Sequence, residues 1–252
     1  MDSTQLPACR TFHFAHPAST NREKRDGYTI YDTPSCRASR FGHRLVIEEN
    51  PTPDELKRYA DLWRKEHAGK GIDKAWLVWE SRERWDHEPP FGELHKLRCL
   101  MADEAMSLVP DWNTARKLER SDIDAMMHLF SSLEGDAGGP DEAHRWYFNG
   151  LFDRIEDEWG SYWGDFEDGE LRGMAACLFD SREARMQGVI TAKAHRGKGI
   201  CSALIAQCVQ EYQDISFGIT YVMANDGEQA ERIYRRLGFR HVTWVHELGF
   251  TP

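Results

Sequence analysis

The stretch Ile190–Tyr212, ITAKAHRGKGICSALIAQCVQEY, places Arg-Gly-Lys-Gly between a strand-like run and an amphipathic helix. After Gly199, the apolar residues recur with the spacing of one helix face: Cys201, Leu204, Ile205, Cys208, Val209 and Tyr212. The pattern predicts a strand, a glycine turn and a helix. The first turn of such a helix has unbonded N–H groups and the positive end of the helix dipole, so a phosphate would fit there.

Two common phosphate-binding signatures do not fit this turn. A Walker A loop requires Gly, four residues and Gly-Lys-Ser/Thr, whereas Gly197-Lys198 follows Ala192 at the first glycine position and precedes Gly199. The dinucleotide fingerprint requires a third glycine, and Ser202 occupies that position. The strands before the turn also have an antiparallel pattern instead of a βαβ pattern.

The segment Arg196–Cys201, RGKGIC, resembles the Arg/Gln-x-x-Gly-x-Gly/Ala acyl-CoA signature of the GNAT N-acetyltransferase superfamily. It departs from that signature at Cys201, whose side chain is larger than that of glycine or alanine. The backbone approach to a pyrophosphate would be tighter there, and a side chain directed into the core would be tolerated. The resemblance implies acetyl-CoA as co-substrate.

A second segment, Ile219–Val242, resembles the other half of the same superfamily pattern. The residues that match are Ala230, Ile233, Tyr234, Leu237, Gly238 and Phe239. Together the matching elements cover about Thr114 to Leu248. The resemblance implies an α/β (α+β) fold, in which helices flank a mixed and mostly antiparallel central sheet.

The resemblance also implies roles for individual residues. Val189, Ile190 and Thr191 would pair through their backbone with the pantetheine arm and donate an N–H to the thioester oxygen. The turn and helix start would bind the CoA pyrophosphate through Arg196, Gly197, Lys198, Gly199, Ile200, Cys201 and Ser202. Each role has a plainer alternative, namely ordinary sheet pairing for the strand and a glycine helix entry with solvated cations for the turn.

Two residues of the second segment are further candidates. Tyr234 would protonate the departing CoA thiolate, since a phenol with a pKa near 10 is a reasonable partner for a thiol. Helix periodicity by itself equally fits a packed tyrosine. Asn225 resembles a position that contacts CoA, and it also suits the N-cap of a helix from Asp226 to Leu237. No general base is assigned, because acidic residues at strand ends such as Asp180 and Glu183 are usually solvated.

We predict two domains, residues 1–110 and residues 111–252, with the boundary in the proline-containing segment 107–113. In the first, the patterns predict a strand at 44–49, a helix from Glu55, and strands at 74–80 and 94–102. The first 40 residues look irregular. This smaller α/β unit weakly resembles the degenerate first half of tandem GNAT proteins.

The patterns of residues 111–252 alternate between strands and helices in the order of the superfamily. A short strand near 114–120 precedes helices that begin near 122 and 141. Three antiparallel strands follow at 162–167, 171–179 and 184–192, before the glycine turn. The sequence thus predicts an acyltransferase core in this half.

The composition limits the kinds of binding partner and the cell compartment that we expect for this protein. A formal charge of −10 on 252 residues opposes nonspecific attraction to nucleic acid. We expect no membrane partner, because there is no bilayer-length apolar run and no signal peptide, and the predicted compartment is the cytosol. The six cysteines include no CxxC pair and are expected to be reduced.

No metal is predicted from the eleven histidines, because the sequence has no HExxH motif and no paired Cys/His spacing. The nearest cluster, His13-Phe14-Ala15-His16, lies in the irregular first segment.

The predicted reaction is direct transfer of acetyl to a primary amine of a small molecule or peptide. A cationic acceptor follows if carboxylates between Asp153 and Asp168 face the cleft. Two alternatives remain open: a catalytically silent CoA-binding or interaction module, and an aminoacyl transferase of the tandem GNAT type. The sequence is also compatible with a homodimer.

Overall fold

The computed structural model describes residues 6–39, 42–103, 114–132, 142–157, 159–216 and 218–252. The chain forms two compact units. The first unit comprises Met1–Cys99, Met223–Glu231 and His241–Pro252, and the second comprises Leu100–Val222 and Arg232–Arg240. The predicted boundary at residues 110/111 lies outside the described residues, so this division stays a prediction.

The described ranges contain both strands and helices. The strands are β1 (Asn21–Arg25), β2 (Tyr28–Asp32), β3 (Arg44–Ile47), β4 (Ala75–Ser81), β5 (Glu93–Ala102), β6 (Ala115–Lys117), β7 (Gly160–Glu167), β8 (Glu170–Phe179), β9 (Glu183–Thr191), β10 (Ile219–Asn225) and β11 (Arg240–Phe250). The α-helices are α1 (Pro7–Arg10), α2 (Pro53–Glu66), α3 (Ile123–Ser131), α4 (Glu142–Glu156), α5 (Ile200–Ile215) and α6 (Gln229–Arg236).

The first unit has a mixed sheet in the order β1-β2-β3-β4-β11-β5. Strands β3 and β4 are parallel, because α2 connects them as a crossover. The pairs β1/β2, β2/β3 and β4/β11 are antiparallel. The predicted strands and helix of residues 44–102 are all present.

Helix α2 follows the predicted apolar face. Leu56, Tyr59, Ala60 and Trp63 are buried on it and pack into the core of the first unit. The helix starts at a capping box, in which the Thr52 side chain and the side chain three residues later bond each other's backbone N–H groups. Burial of this face fixes the helix against the sheet.

The prediction of an irregular first segment was wrong. Strands β1 and β2 form an antiparallel hairpin around Asp26-Gly27, and Gly27 has a φ of 80°. Strand β1 is charged and almost wholly exposed, since it is the edge strand of this sheet. Such an edge strand has no buried face, so its sequence lacks the alternation on which strand prediction depends.

The second unit contains the sheet order β10-β9-β8-β7-β6. The three predicted antiparallel strands are confirmed as β7, β8 and β9, and β9 pairs with β10 in parallel. Helix α5 packs closely on β8, because a Cβ at Gly173 would lie 2.7 Å from Cγ2 of Ile200. The predicted mixed and mostly antiparallel sheet flanked by helices is therefore present.

Two further observations concern the whole described chain. No α-helix in these ranges is both long and apolar enough to cross a bilayer. None of the six cysteines, all of which are described, forms a disulfide.

Candidate functional site

Strand β9 continues beyond its ladder with β10. Within the described part of the second unit, that ladder joins Glu183–Arg185 to Ile219–Tyr221, whereas β9 extends to Thr191. On its other edge, β9 stays paired with β8 as far as Thr191, across a bulge. The residues predicted to bind pantetheine, Val189–Thr191, are half-buried and lie beyond the end of the β10 ladder. A strand edge without a ladder can pair with an extended ligand.

The glycine turn requires glycine at two positions. Gly197 has a φ of 80° and Gly199 a φ of 89°, in the region that L-residues rarely adopt. A Cβ at Gly197 would meet no atom within 4 Å, so the backbone conformation and not crowding selects glycine there. The space beside Gly197 is therefore available to a ligand.

The N-terminus of the 16-residue helix α5 is uncapped. Its N-cap is Gly199, which forms no side-chain cap, and its first turn has no acidic residue. The first backbone bond inside the helix runs from the N–H of Ala203 to the carbonyl of Gly199, at 3.0 Å. The preceding N–H groups of Ile200, Cys201 and Ser202 are those that a helix leaves without an internal partner. With the helix dipole they form an anion-binding end.

Two exposed cations flank this helix start. The Nε–H of Arg196 donates to the carbonyl oxygen of Thr191 at 3.3 Å, and Nζ of Lys198 lies 3.3 Å from Nδ1 of His195. Cys201 is half-buried, and burial raises its pKa to about 11, so it stays a neutral thiol at pH 7. The electrostatics of the turn are therefore positive and suit a phosphate.

Tyr234 lies on α6 and is 4% exposed. Burial raises its pKa, and the neighbouring Cys201 adds a smaller increase. Its ring packs against Phe239, with centroids 6.0 Å apart. The described residues provide no hydrogen-bond partner for its hydroxyl. Tyr234 is thus a protonated phenol whose hydroxyl has no structural bond to break.

Asn225 is exposed at the end of β10, in the first unit. Its side-chain amide donates to Oε1 of Glu228 at 3.1 Å. The interpretation of Asn225 as a helix N-cap was wrong, because α6 begins only at Gln229. Gly227, with a φ of 76°, forms a turn that delays the helix. The CoA contact of Asn225 stays a prediction.

Arginines pair with several of the carboxylates considered for a cationic acceptor. Arg120 binds Asp153 and Glu156 at 2.8 Å each. In the same unit, Arg172 binds the buried Asp165 at 2.8 Å and Glu167 at 2.7 Å. Each of these four acidic groups thus already has an arginine partner, and a cationic acceptor stays a prediction. Asp180, near the strand ends, accepts the N–H groups of the following turn.

Sequence inspection missed a histidine and carboxylate cluster in the first unit. Ligating atoms of Asp32, His43 and His67 lie within 4.8 Å of one another. No local motif signals this cluster, because the sheet and α2 bring the three residues together. In the sequence-adjacent pair, by contrast, Nδ1 of His13 and Nδ1 of His16 contact backbone carbonyls at 2.9 and 3.0 Å.

Comparisons with solved structures identify the fold. A functionally unknown conserved protein from Staphylococcus epidermidis has a TM-score of 0.75 at 11% identity, over 98% of each chain. A GCN5-related N-acetyltransferase from Kribbella flavida has a TM-score of 0.60 at 21% identity, over 93% of this chain and 90% of that one. A tandem GNAT protein from the clavulanic acid biosynthesis pathway has a TM-score of 0.59 at 12% identity, over 96% and 86%.

Sequence comparisons find one family that resembles part of this chain. None of the curated protein sequences matches this chain. Residues 123–239 match the model of the Acetyltransferase (GNAT) family. The matched range includes the glycine turn, α5 and Tyr234. Residues 123–239, a little under half of the chain, are therefore similar to a GNAT acetyltransferase domain, and this match supports an acyltransferase activity.

Proposed function

We propose that this protein is an acetyl-CoA-dependent N-acetyltransferase that transfers the acetyl group directly to a primary amine of a small molecule or peptide. The observation that carries the proposal is the uncapped N-terminus of α5, which two exposed cations flank. The compartment that we propose is the cytosol. No nucleic acid, membrane or metal is part of this reaction.

In this proposal the glycine turn binds the pyrophosphate of acetyl-CoA. The N–H groups at the start of α5 donate to the phosphate oxygens, and Arg196 and Lys198 add positive charge. Gly197 fits this role because a Cβ there would extend into otherwise empty space. The half-buried, neutral Cys201 brings no negative charge to the turn.

Strand β9 orients the thioester in this proposal. The backbone of Val189–Thr191 lies beyond the β10 ladder and pairs with the amide groups of the pantetheine arm. One N–H of this segment donates to the thioester carbonyl oxygen, where negative charge develops during attack. The β8 ladder holds the segment rigid on its other edge, which preorganises that donor.

Tyr234 donates the proton that the leaving group needs. The amine nitrogen forms a bond to the thioester carbon, the carbon–sulfur bond breaks, and the sulfur takes the phenolic proton. The amine gives up its proton to water as it attacks, and Tyr234 regains a proton from water after the transfer. No side chain is assigned as the general base. Direct transfer needs no enzyme nucleophile, and the raised pKa of Cys201 makes that thiol unsuitable as one.

Calorimetric titration with acetyl-CoA tests the proposal. We expect Gly197→Glu to weaken acetyl-CoA binding at least tenfold, a change of about 1.4 kcal/mol, because it adds bulk and negative charge at the phosphate position. Gly169→Glu is the matched control. Gly169 has a φ of 83°, lies in the exposed β7–β8 turn and, like Gly197, has no atom within 4 Å of an added Cβ.

The result separates the alternatives. Equal weakening by both variants, or no binding by the wild type, would overturn the assignment of the glycine turn. If binding is selective for Gly197, an amine screen follows. Binding without turnover of any amine would favour a catalytically silent CoA-binding module.

A further inference from the structure

Three elements of the first unit bring Asp32, His43 and His67 together. Asp32 ends β2, His43 lies directly before β3, and His67 is the C-cap of α2. Oδ1 of Asp32 is 3.0 Å from Nδ1 of His43 and 3.9 Å from Nε2 of His67. The side chains of both histidines are at most 1% exposed.

Backbone carbonyls orient both imidazole rings. Nε2 of His43 lies 3.1 Å from the carbonyl oxygen of Cys36, and Nδ1 of His67 lies 3.0 Å from that of Trp63. Each carbonyl can only accept, so each of these nitrogens carries the proton. In the neutral rings, the remaining nitrogens, Nδ1 of His43 and Nε2 of His67, have lone pairs and face Asp32. The lone pair of His43 then lies against a carboxylate oxygen at 3.0 Å, which can also only accept. Metal-binding histidines are held in the same way.

One of these lone pairs lacks a partner. Nε2 of His67 is buried and has no hydrogen bond among the described residues. Nδ1 of His43 accepts only one long hydrogen bond, from the backbone N–H of Thr33 at 3.4 Å, because the Asp32 carboxylate beside it cannot donate. A buried acceptor without a donor is costly. A cation between the three side chains would satisfy both nitrogens and the carboxylate.

We propose that Asp32, His43 and His67 bind a divalent transition-metal ion of the zinc class. Two imidazole nitrogens and one carboxylate oxygen suit zinc and its neighbours, whereas calcium and magnesium prefer oxygen ligands only. Metal–ligand distances of about 2.0–2.2 Å put tetrahedral ligand atoms roughly 3.3 Å apart. The present separations of these atoms are 3.0 and 3.9 Å from Asp32 and at most 4.8 Å overall, so metal binding would close the widest of them by up to about 1.5 Å. Water would complete the coordination.

Two cations compete with the metal for the carboxylate. Nζ of Lys70 lies 3.0 Å from Oδ2 of Asp32, and Nη1 of Arg37 lies 3.1 Å from Oδ1. Their side chains are 30% and 38% exposed, so each can turn toward solvent when the metal binds. This competition can be tested, because removal of Lys70 takes away both a cation bound to Asp32 and a positive charge that repels the metal, and should strengthen metal binding.

The experiment titrates the full, metal-free chain with Zn²⁺ by calorimetry and with Co²⁺ by visible absorption. We expect the wild type to bind one Zn²⁺ and to give the intense Co²⁺ absorption of a four- or five-coordinate site. Lys70→Met should raise the affinity about tenfold, since it removes a cation that binds Asp32. His67→Gln should lower it by roughly 100-fold or more. His87→Gln, at an exposed histidine, is the control and should change nothing.

Several results would overturn the proposal. If neither the wild type nor Lys70→Met bound Zn²⁺, the cluster would be merely a network of ion pairs. Equal affinities of the wild type and His67→Gln would point to adventitious surface binding, as would loss in His87→Gln. The Lys70 side chain is partly exposed, so we expect Lys70→Met to fold, and this variant keeps the test decisive even if His67→Gln does not fold. Neither outcome depends on acetyl-CoA binding in the second unit.

Discussion

Two strand–helix–strand segments of this protein follow the same backbone path, but the N-terminus of one helix is capped and that of the other is not. In the first unit α2 connects the parallel strands β3 and β4, and in the second α5 connects the parallel strands β9 and β10. Helix α2 caps its own N-terminus through a capping box. The N–H of Glu55 donates to the hydroxyl of Thr52 at 3.3 Å, and the N–H of Thr52 donates to the Glu55 carboxylate at 2.8 Å.

Helix α5 lacks each of these features. Gly199 has no side chain to cap it, whereas the first turn of α2 carries Asp54 and Glu55. Negative charge and occupied N–H groups exclude an external anion from α2, while α5 keeps its dipole available for one. A shared backbone path therefore does not confer a shared ligand. We expect acetyl-CoA to bind the second unit and not the first.

The largest expected effect concerns Tyr234. We expect Tyr234→Phe to lower kcat by about 10²- to 10⁴-fold, because it removes the proposed proton donor, with little change in the KM for acetyl-CoA. Steady-state kinetics with the best amine measures this. Tyr59→Phe, at a buried tyrosine of the first unit, is the control and should leave kcat unchanged. An active Tyr234→Phe would show that Tyr234 is only a packed residue.

Acid should weaken the first unit through His246. Its side chain is fully buried on β11, its Nε2 accepts the N–H of Trp85 at 3.1 Å, and burial lowers its pKa to about 4 from 6.5. Between these two values the unfolded chain binds a proton that the folded chain does not. The contribution of the neutral His246 side chain to the free energy of unfolding is therefore fully present above pH 6.5. It is lost as the pH falls toward 4, and the loss is about 3 kcal/mol at most.

Urea unfolding of wild type and His246→Gln between pH 7 and pH 4 measures this loss. We expect a smaller pH dependence in the variant, whose amide oxygen can still accept from Trp85. The buried Cys177, Cys208 and Tyr162 of the second unit should not contribute, since burial raises their pKa values and leaves them neutral in acid. Identical pH profiles would contradict the role of His246.

An acidic residue in the first turn of α5 would give this helix the same negative charge at its N-terminus that α2 has. We expect Ser202→Glu to weaken acetyl-CoA binding about tenfold, because the carboxylate repels the pyrophosphate and competes for N–H groups. Ser202→Gln has a similar size without the charge and should bind nearly as the wild type does. Calorimetry compares the three proteins. If the glutamine and glutamate variants weakened binding equally, bulk and not charge would be the cause.

The smallest expected effect comes from removing the N-cap side chain of α2. Thr52→Ala should lower the free energy of unfolding by about 1 kcal/mol, since it removes one partner of the capping box. Its acetyl-CoA affinity should equal that of the wild type. Urea unfolding and calorimetry measure the two quantities, and Lys57→Ala on the exposed face of the same helix is the control. A change in acetyl-CoA affinity would contradict the separation of the two units' roles.

Sequence patterns predicted the segments with a buried face. The apolar stripes of α2 and α5 and the strands β7 to β9 are confirmed, because periodic burial leaves a periodic sequence. The exposed strand β1 was missed because it lacks such a face. The assignment of Asn225 as an N-cap failed because the turn at Gly227 delays α6. Both errors lie where the sequence has no apolar period.

The sequence by itself determined the glycine turn, the helix behind it and the resemblance of both motifs to the GNAT superfamily. These are local properties, since glycine at positive φ and an apolar period act over neighbouring residues. Only the tertiary structure decided that arginines neutralise acidic groups of the second unit such as Asp165. It also decided that Asp32, His43 and His67 converge. Sheet pairing and helix packing set those long-range positions, and no short sequence pattern encodes them.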